Sequence, residues 1–277
     1  MIGLKTYLGR NKVSIGGVPS RKNCINLEWW AKKKNVGDYL SEVIYNYMLE
    51  YNNLDPNKIV SKTIHLMAVG SLVGMYEFDS VVWGSGIHCV DNIKNVYKQS
   101  KYRKYDIRLL RGPITGEIMK SAGYQVPNVY ADPAVIMPLI YKTDVRVKEY
   151  EVSVILHLSQ KQERQYNIEG LHYIDVETHD YKKFIDEIVK SKMVVSSSLH
   201  GIILAESYGV PAIFLKSGMN NEMLKFYDWY FSTDRYNVVA VNSISEALTS
   251  EKMQLPDIKM MQKNVIETFP KDLWEVK

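Results

Sequence analysis

Apolar residues recur along the chain in two patterns, one typical of amphipathic helices and one typical of buried strands. Residues 38–51 carry apolar side chains at the i, i+3, i+4, i+7 and i+8 positions, which predicts a helix with one face against a sheet. Short β-rich runs follow at 64–69, 80–83, 106–110 and 128–130, and a helix is expected over 113–122. Strands that alternate with helices favour a mostly parallel sheet.

The alternation starts again after a polar, charged stretch at residues 141–150. Strands are expected at 152–158, 171–176, 193–196, 212–215 and 238–241, with helices at 181–191, from 199 and near 245–250. We therefore predict two doubly wound α/β domains with a cleft between them, over residues 1–142 and 150–277. Residues 257–277 are expected to form a helix that packs back on the first domain.

Composition is that of an ordinary globular protein. Of the 277 residues, 46% are hydrophobic and 24% are charged, and no segment approaches the ~20 apolar residues of a membrane span. The start of the sequence lacks the apolar core of a secretory signal, and two cysteines fit a reducing compartment, so we expect a cytoplasmic protein. A formal charge of +4 is too small to indicate a nucleic-acid partner.

Basic residues cluster at 32–34 and, interleaved with tyrosines, at 97–105. Such runs are usually solvated faces. They would also suit peripheral association with the anionic inner face of the cell membrane, which would matter for a lipid-linked substrate.

Residues 193–215 combine the features of an anion-binding corner. A short apolar run ends in Ser196, Ser197 and Ser198, and an apolar helix is expected to begin near Leu199. The free N–H groups and positive dipole end of such a helix attract phosphate or carboxylate. His200 falls in the first turn, where it could bind the anion or transfer a proton. These residues alone fit a serine-capped helix with a buried histidine equally well.

Arg111 and Asp132 follow predicted strands of the first domain. Arg111 would place a cation at the carboxyl edge of the sheet, where its guanidinium opposite His200 would complete an anion clamp; a surface salt bridge is the alternative. Asp132, held extended by Pro133, could act as a base, orient a sugar hydroxyl or cap a turn.

Glycine-containing loops precede or follow other elements. In residues 35–38, Gly37 would let a ligand approach the backbone and Asp38 is expected to cap the first long helix, although a plain cap and turn also fits. The loops at 70–71 and 84–86 lack a complete G-x-G-x-x-G dinucleotide pattern. The six histidines show no helical metal-site spacing, so we expect no metal and no cofactor.

Five motifs, taken in order, resemble the motif set of the polysaccharide pyruvyl transferases. They are NVGD at 35–38, VWGSG at 82–86, LRGPIT at 110–115, ADP at 131–133 and SSSLHG at 196–201. The resemblance runs from about residue 35 to residue 215 and reaches FYDW at 226–229. It implies two Rossmann-like domains in a GT-B-like arrangement, phosphoenolpyruvate as donor substrate, and a pyruvate ketal on a sugar of a surface polysaccharide or its lipid-linked repeat unit as product.

The resemblance implies donor-binding or catalytic roles for Arg111 and His200. We assign further residues from the same motifs, and add Ser71 from the loop at 70–71 and Lys216 as a possible substitute cation. The expected catalytic residues are His200, Asp38 and Asp132. The expected donor-binding residues are Arg111, Ser196, Ser197, Ser198, His200, Gly201 and Lys216. The expected acceptor-binding residues are Asn35, Gly37, Asp38, Ser71, Gly84, Ser85 and Gly86. His200→Ala and Arg111→Ala are each expected to abolish turnover and to leave the fold intact.

The chain departs from the family pattern at Ser198, where many members carry arginine. One donor-binding cation is therefore missing or supplied elsewhere, and Lys216 or the serine hydroxyl with helix N–H groups are candidate substitutes.

Two alternative functions stay open at this point. Glu206, followed by Gly209-Val210-Pro211, also resembles the ribose-binding helix of GT-B glycosyltransferases that use a nucleotide sugar. A non-catalytic glycan-binding protein is the other alternative. The sequence indicates neither the acceptor sugar, nor the bridged hydroxyls, nor the oligomeric state.

Overall fold

The computed structural model describes residues 22–60, 64–160, 168–216 and 222–275. The first half, up to residue 142, contains a parallel four-stranded sheet in the order β1-β2-β3-β4. Its strands are β1 (Ile25–Glu28), β2 (Ile64–Met67), β3 (Ser80–Trp83) and β4 (Tyr105–Leu109). Its helices are α1 (Val36–Tyr51), α2 (Val90–Gln99), α3 (Pro113–Ser121) and the short α4 (Met137–Ile140).

The second half, from residue 150, contains a parallel five-stranded sheet in the order β6-β5-β7-β8-β9. Its strands are β5 (Ser153–Ile155), β6 (His172–Tyr173), β7 (Val194–Ser196), β8 (Ala212–Leu215) and β9 (Ala240–Val241). Its helices are α5 (Tyr181–Val189), α6 (Leu199–Ser207), α7 (Met223–Ser232), α8 (Ile244–Thr249) and α9 (Lys259–Glu267).

The predicted α/β class with parallel sheets is confirmed. In the first sheet the strands follow one another in chain order, whereas the second sheet reverses its winding direction at β5, between β6 and β7. Ligands of open α/β sheets bind beyond the carboxyl ends of the strands at such a reversal. In this chain that position is occupied by the segments after β5 and β7, the second of which is the serine-rich corner.

Several predicted elements are shorter than expected. The strand predicted at 128–130 is a single bridge between Tyr130 and Leu110, and the strand predicted at 171–176 is only two residues long in the sheet. The sequence pattern did not indicate β1, because buried Asn26 and Glu28 interrupt its apolar run. Both polar side chains have partners from β2: the Asn26 amide donates to the Ile64 carbonyl over 3.3 Å, and the Glu28 carboxylate lies 2.6 Å from Nδ1 of His65.

Helix α1 begins two residues before the predicted start. Asn35, not Asp38, is its N-cap residue, since the Asn35 side chain accepts a hydrogen bond from the Gly37 N–H over 3.0 Å. The Val36 N–H donates to the Val176 carbonyl in the second half over 3.0 Å. Asp38 therefore lies in the first turn of the helix, with its carboxyl group left for other interactions.

A buried ion pair joins the two halves. Arg111, which follows β4, donates from Nε to Oδ2 of Asp228 on α7 over 3.1 Å, and both side chains are completely buried. Asp228 also accepts hydrogen bonds from the Thr115 N–H and hydroxyl, over 2.9 and 2.8 Å. The start of α3 and helix α7 thereby lie in direct contact.

The chain after residue 256 contacts both the first sheet and the 3₁₀ turn Pro133–Ile136 of the first half. The indole Nε1 of Trp83 donates to the Val265 carbonyl of α9 over 3.1 Å, and the Gln262 amide donates to the Val135 carbonyl over 2.9 Å. Arg108 forms an ion pair with Asp272 at 2.8 Å. The division into two domains at residues 142 and 150 stays a prediction.

We predict that Gly112→Ala destabilises the protein. A Cβ atom at residue 112 would lie 1.9 Å from the carbonyl oxygen of Asp228, so α7 would have to move away from α3. The expected loss in the free energy of unfolding is about 3 kcal/mol, as for an overpacked core, and denaturant unfolding measures it.

Gly123→Ala is the matched control. No heavy atom lies within 4 Å of a Cβ built at residue 123, and its φ of +93° leaves only backbone strain, which costs about 1–2 kcal/mol. Equal losses in the two variants would contradict the proposed close approach of α3 and α7.

Candidate functional site

A cavity of about 240 Å³ lies at the carboxyl ends of the strands and is lined by both halves of the molecule. The first half contributes Asn35, Asp38 and Ser71, and the second half contributes His157, Ser198 and His200. The predicted catalytic residues Asp38 and His200 are thus brought together although 162 positions separate them in the sequence, the difference between 200 and 38. Trp30, which follows β1, also lines the cavity.

His200 is fixed by the backbone of α1 on one side and by a carboxylate on another. A Cβ at Gly37 would lie only 2.2 Å from Nδ1 of His200, so the imidazole packs directly on the glycine. Nε2 of His200 lies 3.7 Å from Oδ2 of Asp132. Among the described residues neither of these two atoms has a hydrogen-bond partner, although both are buried. The pair is close enough for electrostatic attraction and short of a hydrogen bond.

Asp132 is completely buried and does not line the cavity. Its other oxygen, Oδ1, accepts a hydrogen bond from the Ala134 N–H over 3.0 Å, which fixes the carboxyl group at the start of a 3₁₀ turn (Pro133–Ile136). The structure therefore places Asp132 behind His200, where it can orient the imidazole.

Asp38 has a strongly altered acidity. Burial raises its pKa to about 6, although the charges of His200 and Lys225 act in the opposite direction. A Cβ at Gly70 would lie 3.3 Å from Oδ1 of Asp38, so the loop after β2 approaches this carboxyl group closely. A carboxyl group with a pKa near neutrality is suited to accept and release a proton in catalysis.

The expected anion clamp from Arg111 is not what the structure contains. Besides the bond to Asp228, its Nη1 donates to Ser71 Oγ over 2.5 Å and its Nη2 to the Ile87 carbonyl over 2.7 Å. The guanidinium is completely buried and does not line the cavity. The arginine is committed to internal partners because burial of an unpaired charge would be very costly. It reaches the cavity only through Ser71.

The three serines of the corner have different environments. Ser196 Oγ donates to the Ser198 carbonyl over 2.9 Å and accepts from the Ser198 N–H over 3.0 Å, so it shapes the turn. Ser197 Oγ bonds the Gln160 amide oxygen and accepts the His157 N–H over 2.9 Å. Ser198, the N-cap residue of α6, makes no side-chain cap hydrogen bond and lines the cavity. Of the three, Ser198 is placed to meet a ligand.

Four of the remaining predicted residues, three glycines and a serine, lie outside the cavity lining and pack against neighbouring loops. Gly201 packs against Ser196, since a Cβ there would lie 2.5 Å from Ser196 Oγ. Gly84 faces Pro133 and Gly86 faces the Arg111 guanidinium in the same close manner. Ser85 is buried, with its hydroxyl donating to the Gly70 carbonyl over 3.0 Å. These residues hold the loops in place without lining the cavity.

Sequence reasoning did not single out a charged cluster at one side of the cavity. Glu222 lies 2.7 Å from Nζ of Lys225, 3.6 Å from Nε2 of His88 and 3.8 Å from Nε2 of His157. The pKa of Glu222 lies well below its usual range, chiefly because of the interaction with His88 and to a smaller extent because of Lys225. Lys225 itself is buried, and burial lowers its pKa. The predicted substitute Lys216 follows β8 and does not line the cavity.

These four residues carry no motif that pattern analysis could recognise. His88 follows β3, His157 follows β5, and Glu222 and Lys225 lie at the start of α7, so only the folded chain brings them together.

In the described ranges no group of three or more His, Cys, Asp or Glu side chains is arranged to hold a metal ion. Likewise, none of the described helices is long and apolar enough to cross a membrane.

Arg111→Ala is expected to lower the free energy of unfolding by about 3–5 kcal/mol, because it leaves the Asp228 carboxylate buried without its cation. This replaces the expectation that the variant keeps its fold. Arg108→Ala removes a solvent-exposed ion pair with Asp106 and Asp272 and is expected to cost about 1 kcal/mol or less. Denaturant unfolding measures the free energy of unfolding of both variants. Similar losses of free energy in the two would contradict the importance of the buried pair.

Asp38→Asn is expected to stabilise the protein at neutral pH. Since the pKa of Asp38 in the folded protein is raised from 3.8 to about 6, ionisation favours the unfolded state. This cost is absent below about pH 3, grows as the pH rises from about 4 to about 6, and is constant above that range. The gain should be about 3 kcal/mol above pH 7 and should vanish near pH 3. Unfolding measured as a function of pH tests this, and a gain of equal size at both ends would show that ionisation is not its cause.

Comparison with known proteins places the chain in a family. It matches the family model described as polysaccharide pyruvyl transferase over residues 35–218. An uncharacterised protein of Acanthamoeba polyphaga mimivirus is 26% identical over 224 residues, covering 74% of this chain and 73% of the relative. The succinoglycan biosynthesis protein ExoV of Rhizobium meliloti (strain 1021) is 25% identical over 232 residues, covering 79% of this chain and 69% of the relative. The family match spans more than half of the sequence and confirms the resemblance, so the chain belongs to the polysaccharide pyruvyl transferase family.

Proposed function

We propose that this protein transfers the pyruvyl group of phosphoenolpyruvate to a sugar and forms a pyruvate ketal during polysaccharide biosynthesis. The observation that carries the proposal is the cavity in which His200, Asp38 and the start of α6 meet, within the region that the family model matches. The proposal includes a GT-B-like arrangement of two Rossmann-like domains. It also includes a cytoplasmic location, with a lipid-linked repeat unit reached at the membrane surface.

The donor is small and carries a phosphate and a carboxylate, so its site needs convergent hydrogen-bond donors rather than a large apolar pocket. The first N–H groups of α6 have no partners within the helix, and Ser198, Leu199 and His200 at the start of this helix line the cavity. The Ser198 hydroxyl and His200 lie at the same place. The helix N–H groups, the Ser198 hydroxyl and His200 can together donate hydrogen bonds to an anion, and no arginine lines the cavity among the described residues.

The reaction makes two C–O bonds and breaks one. One sugar hydroxyl attacks C2 of phosphoenolpyruvate while the methylene carbon takes up a proton and becomes a methyl group. The C2–O bond to phosphate then breaks, and a second sugar hydroxyl attacks C2 to close the ketal. The two hydroxyl protons are accounted for, one in the methyl group and one on the released hydrogen phosphate.

The residues suit these proton transfers. We assign Asp38 as the base that accepts a hydroxyl proton, since a pKa of about 6 leaves it ionised at pH 7 yet able to hold a proton. His200 is assigned as the acid or as the partner of the leaving phosphate. Asp132, 3.7 Å behind it, is a positioning residue that orients the imidazole.

The nucleotide-sugar alternative loses its supporting residue. Both oxygens of the Glu206 carboxylate accept hydrogen bonds from Arg235, over 2.6 and 2.8 Å, and Oε2 also accepts one from the Trp229 indole over 2.9 Å. Glu206 is buried in this arrangement and does not line the cavity, so its carboxylate is not available to a ribose.

Incubation of the protein with phosphoenolpyruvate and a panel of synthetic or lipid-linked glycans is expected to release phosphate and to yield an acid-labile ketal. His200→Ala should reduce the turnover number by about 10²-fold or more, because general acid-base help contributes that much. His172→Ala is the matched control, since His172 lies at the edge of the second sheet beside Glu187 and outside the cavity. Absence of phosphate release over a broad acceptor panel, with stabilisation by nucleoside diphosphates instead, would overturn the proposal.

A further inference from the structure

Lys225 stands out among the cavity residues. It is the one lysine or arginine among the described residues that line the cavity, and only 4% of its surface is exposed. Lysine is almost never buried to this extent without a charged partner. Here the partner is Glu222, which accepts a hydrogen bond from Nζ over 2.7 Å.

Lys225 lines the cavity beside two of the proposed catalytic residues. Asp38 and His200 line the same cavity, and the carboxylate of Asp38 acts on the ionisation of Lys225. Arg111, the other cation in this region, has Asp228, Ser71 and the Ile87 carbonyl as partners and lies outside the lining. A donor with two anionic groups that enters the cavity therefore meets the Lys225 ammonium, not a guanidinium.

Glu222 has two imidazole neighbours besides Lys225. His88 and His157, from two other loops, lie 3.6 and 3.8 Å from its two oxygens. If the lysine turned toward a bound anion, these imidazoles would remain beside the carboxylate. The cluster thus permits Lys225 to exchange Glu222 for a ligand, since the partly exposed carboxylate keeps both imidazoles as neighbours.

Ser198 leaves room for this arrangement. Its short side chain lines the cavity at the start of α6, where a long cationic side chain would compete with Lys225 for the same anion.

We propose that Lys225 binds an anionic group of the donor, the phosphate or the carboxylate, and supplies from α7 the positive charge that neither residue 198 nor Arg111 provides. The inference rests on the proposed function. It adds a residue to the donor site and explains how this chain holds phosphoenolpyruvate with serine at position 198.

Lys225→Met tests the proposal, because methionine keeps most of the length of the side chain and removes its charge. The KM for phosphoenolpyruvate, and its dissociation constant from calorimetry, should rise at least ~10-fold, which corresponds to about 1.4 kcal/mol. The KM for the sugar acceptor should change much less. Lys225→Arg keeps the charge and should recover part of the donor affinity. Lys263→Met, an exposed lysine of α9 near Glu267, is the control.

Two further variants test the proposal independently in case Lys225→Met folds poorly. Glu222→Gln removes the competing carboxylate and should lower the KM for phosphoenolpyruvate. Ser198→Arg combined with Lys225→Met should restore donor binding by supplying a cation from the start of α6. A folded Lys225→Met variant with unchanged donor affinity, or a Glu222→Gln variant with weaker affinity, would overturn the role of Lys225. Wild-type protein that binds no phosphoenolpyruvate would instead overturn the proposed function.

Discussion

The structure of the cavity depends on the buried ion pair between Arg111 and Asp228. Two opposite charges in a protein interior are tolerated only when their hydrogen bonds are satisfied, and here Thr115, Ser71 and a main-chain carbonyl complete the set. Because the pair fixes α7 against α3, it also fixes the residues one turn earlier on α7. Lys225 lies three positions before Asp228, on the same side of the helix, and so reaches the cavity. A structural ion pair and a candidate ligand-binding lysine are parts of one arrangement.

The cavity concentrates groups whose ionisation is interdependent. Burial makes Asp38 retain its proton more readily and makes Lys225 release its proton more readily, while the attraction between the two acts in the opposite sense for both. A dianionic or trianionic ligand in this cavity would favour the protonated forms of Asp38 and Lys225, so donor binding and proton supply are expected to be coupled.

The sequence predicted those features that depend on local periodicity, whereas Asp38 was wrongly predicted as the cap of α1. Helix α1, helix α3, the strand β7 and the serine corner were all indicated by patterns within a few residues, and the parallel α/β class follows from their alternation. Partners distant in the chain could not be predicted in this way. Asp228 is 117 positions from Arg111, and no pattern around Arg111 reveals that its guanidinium is already satisfied. The strand β1 was missed for a related reason, because its buried polar residues are stabilised by β2 and not by their own neighbours.

The contact of His200 with Gly37 has a consequence for how such a site can vary among relatives. The imidazole occupies the space that any Cβ at position 37 would need, so the two positions form one steric unit across the two halves. A larger residue at position 37 requires a smaller one at position 200, and with it the loss of the imidazole. The absence of a side chain at position 37 is therefore a condition for the presence of the imidazole, and the two residues should be kept or lost together among relatives.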